Sequence, residues 1–189
     1  MLQRLQSTRN LGEALHVGMH DFMSLLGAER GNVQALGQCQ DLLIIAQQGL
    51  GSSFLEAFRR VSAESTSVCG RAAALGDLVF VPDVTQDEAF GPHLGATRSE
   101  GITSILSCPL MTLATGPIGM VSAHFAQRAN PTPLEMASAA EYGKALALAL
   151  DRFLPSEGRI ELVEAMASAL LESAGTRFDK VSAACERGG

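Results

Sequence analysis

The chain has no tryptophan and one tyrosine, and aromatics make up only 5% of its 189 residues. No aromatic-rich stretch occurs that could stack the bases of a single strand. Basic runs are missing too: 14 Lys and Arg stand against 20 Asp and Glu, a net charge of −6. Binding to a phosphate backbone depends on clustered cations, so nucleic acid is not an expected partner. The densest apolar run, Ala145 to Leu150, is far shorter than the ~20 residues that span a bilayer, so no membrane role is expected. The N-terminus, MLQRLQSTRN, carries charge without an apolar segment behind it, and no secretory signal is expected. The four cysteines (Cys39, Cys69, Cys108, Cys185) show no CxxC spacing, which fits a reduced, cytoplasmic chain. Neither GxxxxGK[ST] nor GxGxxG occurs, so P-loop and Rossmann sites are excluded at the motif level.

What is present is a 47% hydrophobic composition, enough to bury a core. The length points to one domain with helical extensions. Leu11, Leu15, Met19, Phe22 and Leu26 recur at helical spacing and predict a helix over residues 2–27, stopped at Gly27. Val33, Ala35 and then Leu42 to Ala46 predict two strands joined by the loop 37–41. Ser52 or Ser53 is placed to cap a helix through Phe58 and Val61, and Ser67 precedes a short helix ending at Gly76. Leu78 to Val81 reads as a short strand, and 87–100 as loop plus helix. Two further strands, 102–111 and 117–125, flank a turn at Thr115-Gly116. Thr132, Pro133 and Glu135 open a long helix from about Leu134 to Phe153, and 159–173 form another before a polar tail. The order predicts an α+β fold, one antiparallel sheet with helices packed on it.

Four pieces, in this order and spacing, resemble the GAF family. They are Ser67-Val68-Cys69-Gly70-Arg71-Ala72, Val79-Phe80-Val81-Pro82-Asp83-Val84, Gly101 to Leu110 (GITSILSCPL) and Ile118 to Phe125 (IGMVSAHF). They look like the GAF modules that accompany bacterial histidine kinases. The resemblance implies a GAF-like (profilin-like) central antiparallel sheet of five to six strands. The N- and C-terminal helices would lie on one face and ligand-pocket loops on the other. It places the GAF domain at 1–153 and a helical extension with a polar tail at 154–189. Its pocket candidates are Phe80, Asp83, Phe90, His93, Ser107, Cys108 and His124.

Each candidate has a plain structural reading beside the functional one. Cys69 sits in a Val-Cys-Gly piece similar to that of the free methionine sulfoxide reductases, whose chemistry needs a second thiol close by. No cysteine occurs just upstream or between Asp83 and Pro92, and Cys108 would meet Cys69 only through the fold. A buried packing cysteine is the simpler reading. His93 resembles the histidine of a phytochrome chromophore loop, but Leu94 follows it where that loop has cysteine, so no covalent bilin is expected. His124 alternates with Ser122 and Met120, either facing a ligand or satisfied in the core. Asp83 either enters the pocket or makes an Asx-turn. His16 and His20 share a helix face, yet no third ligand is near and no metal is expected. The cyclic-nucleotide GAF signature is absent.

The long helix is alanine-rich and apolar nearly all round from Ala145 to Leu150, so it must be covered on more than one side. A homodimer through the terminal helices would cover it; so would the helix 159–173 of the same chain. The function expected is a noncatalytic sensory module that binds a small molecule or partner protein, such as a histidine kinase, and relays the signal through its terminal helices. The alternative is a thiol redox enzyme using Cys69. Haem and flavin stay open as cofactors.

Overall fold

The computed structural model describes residues 1–113 and 116–185, with side chains through Ala174. Its helices are α1 (Leu2–Gln6), α2 (Leu11–Leu26), α3 (Ser52–Ala57), α4 (Val68–Leu75), α5 (Leu94–Ser99), α6 (Pro133–Asp151) and α7 (Arg159–Cys185). The strands are β1 (Arg30–Leu36), β2 (Leu42–Gln48), β3 (Val79–Val81), β4 (Ser104–Thr112) and β5 (Gly116–Phe125). They form one antiparallel sheet in the order β2-β1-β5-β4-β3. The fold is the α+β arrangement that the sequence predicts, with five strands.

The sheet divides two cores. On one face α2 and α6 pack against β1, β4 and β5, burying Phe22, Tyr142, Leu146, Val33, Leu106 and Val121. The two helices approach closely because Gly18 leaves room for Leu146; a Cβ at Gly18 would collide with that leucine. The other face is covered by α3, α4 and the 3-10 turn Glu88–His93, burying Phe54, Phe58, Val68, Phe90, Ile105 and Met120. α2 stops at Gly27, in the left-handed conformation, as its glycine predicts.

Three boundaries differ from the sequence reading. The helix expected over 2–27 is interrupted, because Asn10 caps a fresh start by accepting the Glu13 N–H at 2.9 Å. Arg152, at the C-terminal end of α6, holds the interruption by donating to Thr8 O and Thr8 Oγ1, each at 3.0 Å. Neither Ser52 nor Ser53 caps α3; Gly51 does, and its N–H donates to the Glu100 carboxylate at 3.1 Å. The tail beyond 173 continues as helix to Cys185. The expected turn residue Thr115 lies outside the described residues.

α7 lies across β2, an edge strand that would otherwise present unpaired backbone. Its Val163 and Ala167 join the first core, while Leu170, Leu171 and Ala174 pack on the second, beside α3. The buried core therefore extends past residue 153 into the C-terminal segment. α7 leans on β2 and α3, so the outward side of α6 keeps Leu134 and Leu148 exposed, at 76% and 65%.

Candidate functional site

Strand alternation puts residues two apart on the same face. On β1 this brings Asn32 and Gln34 to the α3/α4 side, while Val33 and Ala35 enter the other core. β5 supplies Ser122 and His124 in the same way, and β4 supplies Ser107. Asn32 stands opposite Ser122, and Ser122 opposite Ser107, in the register of the three central strands. The result is a polar strip across the middle of the sheet, in a layer that is normally apolar.

Above the strip lies a roof of Phe54 from α3, Phe58 just after it, Val68 and Cys69 from α4, and Phe90. Phe54 and Phe58 lie 4.5 Å apart between ring centroids, and Phe54 meets the His124 ring edge-on at 5.2 Å. The cavity between floor and roof leaves about 20 Å³, room for one water molecule. Among the described residues, no Asp, Glu, Lys or Arg lines it.

The floor is only partly satisfied. Ser107 and Ser122 share a hydrogen bond of 2.8 Å. His124 Nε2 lies 2.8 Å from Asn32 Oδ1 and donates to it, which leaves Nδ1 as a bare acceptor. Both His124 Nδ1 and Gln34 Oε1 are buried with no hydrogen-bond partner. Buried polar groups almost always find a partner, so two orphans around one cavity are unusual. Burial holds the His124 imidazole down to about 3, helped by the charge of Arg30, so it is neutral at physiological pH.

A ladder of hydroxyls leads from the cavity to its rim. Cys69 Sγ lies 3.4 Å from Ser67 Oγ, which lies 2.9 Å from Ser65 Oγ. His93 Nε2 stands 3.5 Å from Ser65 Oγ and 3.3 Å from Thr66 Oγ1, its ring beside Phe58 and Phe90. Burial, and then the charge of Arg71, hold His93 below the usual histidine range. The glycine of the Val-Cys-Gly piece has a steric explanation: a Cβ at Gly70 would strike the carbonyl oxygen of Ser65. Burial raises the Cys69 thiol against the weaker opposing pull of its hydrogen bond to Ser67, which favours the protonated form rather than the nucleophilic thiolate.

Of the sequence candidates, Phe90, Ser107, His124 and Cys69 line the cavity, and His93 stands at its rim. Three lie elsewhere. Cys108 faces the opposite side of the sheet, its Sγ 3.8 Å from Ala139 O on α6, and burial pushes its thiol up to about 12. The sheet thus separates it from Cys69. Phe80 packs towards the first core and borders a surface groove with Arg71, Asp83 and Arg128. Asp83 makes the Asx-turn, accepting from Thr85 N at 2.9 Å and Thr85 Oγ1 at 2.7 Å, and these bonds hold its carboxyl below the usual range. Leu94, at the position of a bilin-binding cysteine, packs on the second core. Asn32, Gln34, Phe54, Phe58 and Ser122 are cavity residues that the sequence reading passes over. The alternation of Asn32 and Gln34 with Val33 and Ala35 was the available signal.

This antiparallel sheet, with short helices over a buried pocket on one face and two long helices on the other, defines the class of fold. The GAF domain pattern matches residues 10–150, and the chain belongs to the GAF family. No curated protein matches the chain in sequence. Among solved structures, the GAF domain of a phosphoenolpyruvate-protein phosphotransferase from Coxiella burnetii is similar at 17% identity and a TM-score of 0.66, covering 79% of this chain and 88% of that one. A domain of a two-component sensor histidine kinase protein from Sinorhizobium meliloti gives 15% identity and a TM-score of 0.63, covering 80% and 98%. A bacteriophytochrome from R. palustris gives 13% and 0.61, covering 81% of this chain and 36% of that one. At these identities the likeness is one of fold.

Proposed function

We propose that the chain is a noncatalytic sensory GAF domain that holds a small molecule in the cavity between the sheet and α3. The carrying observation is the pair of unpartnered buried acceptors, Gln34 Oε1 and His124 Nδ1, around that cavity. A noncatalytic role fits the residues present. The histidine of the cavity is neutral, its thiol is raised by burial, and the Cys108 thiol lies on the opposite face of the sheet. The thiol redox reading needs two sulfurs that meet.

The relay runs through a terminal helix. Anything larger than water must move part of the roof, which includes Phe54 on the six-residue helix α3 and Phe58, the residue that ends it. α3 packs against both α5 and α7, and α7 rests on it through the second core. Arg60, just past α3, also grips Glu164 of α7 with two hydrogen bonds of 2.9 and 3.1 Å. Ligand entry would thus bias α7, a mechanism of population shift between two packings. A partner such as a histidine kinase, or a second copy docked on the exposed side of α6, would read that shift in a cytoplasmic bacterial setting.

Native mass spectrometry of freshly purified protein, beside the denatured mass, tests the binding role. An added noncovalent mass per chain is expected. A bare chain, whose α3 and α7 amides exchange hydrogen identically with and without a deproteinised cell extract, would sink it.

A further inference from the structure

Resting on the binding role proposed above, we infer that the cavity takes an uncharged, flat, single-ring molecule with hydrogen-bond donors on its edges, such as an amino- or amide-bearing ring. The charge follows from the lining. Asn32, Gln34, Ser67, Ser107, Ser122 and His124 supply polarity without net charge. Arg30, whose charge acts on His124, does not line the cavity. A carboxylate or ammonium would be stripped of water there with no oppositely charged side chain in the described lining.

The donors follow from the orphans. Gln34 Oε1 accepts only, and so does His124 Nδ1 once Nε2 donates to Asn32. Gln34 stands opposite Met120 and His124 opposite Arg30, so the two acceptors flank the Asn32–Ser122 row on opposite sides. A ligand carrying N–H or O–H groups on opposite edges satisfies both. An apolar occupant would leave both unpaired and would also displace the water that the cavity admits.

The flatness follows from the layers. The floor is a sheet and the roof is aromatic, with Phe54 set edge-on to His124 and Phe58 beside it. A ring sliding between them meets π faces and ring edges, a favourable arrangement for another aromatic. The present space admits one water, so a ring enters as α3 yields, and a ring that fills the place of one phenyl side chain is the natural size limit.

The test titrates three uncomplexed para-disubstituted benzene probes at neutral pH: para-aminobenzamide, para-aminobenzoate and para-xylene. The receptors are the full chain and its Phe58→Ala variant, followed by the side-chain amide NMR signals of Asn32 and Gln34. Para-aminobenzamide is expected to bind about tenfold more tightly than either of the others. In the full chain, Gln34→Leu is expected to weaken it about fivefold, the worth of one hydrogen bond, without lowering the melting midpoint. Equal or tighter binding of para-aminobenzoate or para-xylene, or an unchanged affinity in Gln34→Leu, overturns the ligand class and leaves the binding role standing. No saturable binding of any probe to either protein overturns the ligand class, while the binding role stands or falls on the native mass spectrum and the hydrogen exchange.

Discussion

At the residue scale, His124 shows how far environment sets chemistry. The same imidazole on the surface would titrate near 6.5; here burial and the charge of Arg30 hold it down to about 3. The unfolded chain takes up a proton near 6.5, whereas the native chain resists until about 3. Stability from this group is therefore complete above the unfolded value and lost as pH falls between the two. The full window corresponds to a loss on the order of 5 kcal/mol. Melting curves from pH 7 to pH 4 should show the wild type losing more stability than His124→Gln, which cannot take up that proton. Parallel losses in the two proteins would mean that His124 is not neutral and buried. The alternation of His124 with Ser122 was legible in the chain. That its ring would be paired to Asn32, and its other nitrogen left bare, was not, because Asn32 is 92 residues away.

At the element scale, caps decide where helices begin. The start of α6 was readable: Thr132 Oγ1 accepts the Glu135 N–H at 3.2 Å, and the Glu135 carboxylate accepts the Thr132 N–H at 2.7 Å. This reciprocal box holds the Glu135 carboxyl below its ordinary range. Thr132→Ala should cost about 1 kcal/mol, measured by urea unfolding with an unchanged slope. A change within error would show that packing on β4 and α2 alone fixes this end. The interruption before α2 was harder to see. Its apolar spacing continues smoothly into Leu5, which is buried, and only the Asn10 cap with the grip of Arg152 reveals the break. Propensity along a chain does not report a guanidinium arriving from another helix.

At the scale of the whole molecule, α7 decides what remains uncovered. It guards the β2 edge and presses on α3, which leaves Leu134 and Leu148 of α6 facing outward. That side is where a second copy of the chain is proposed to dock. Leu148→Glu should turn a dimer into a monomer in sedimentation velocity, with little loss of thermal stability because Leu148 is already exposed. A wild-type chain that sediments as a monomer at the same concentration removes the dimer from the proposal. The relay through α3 and α7 does not depend on that outcome.

The sequence by itself determined the class of fold, because hydrophobic period, caps and turn glycines are local signals that agree with one another. It also determined the family, through four short pieces whose residues are fixed by local needs such as the tight seat of Gly70 under Ser65. The tertiary structure decided which side chains share a cavity. Phe80, Asp83 and Cys108 lie near pocket residues along the chain, yet strand alternation and turn geometry send them to other surfaces. Asn32, Gln34 and Phe54 come from segments that looked like ordinary core and surface. A cavity is a property of strands brought together from distant parts of the chain, and neither its volume nor its unpaired atoms exist until the sheet has closed.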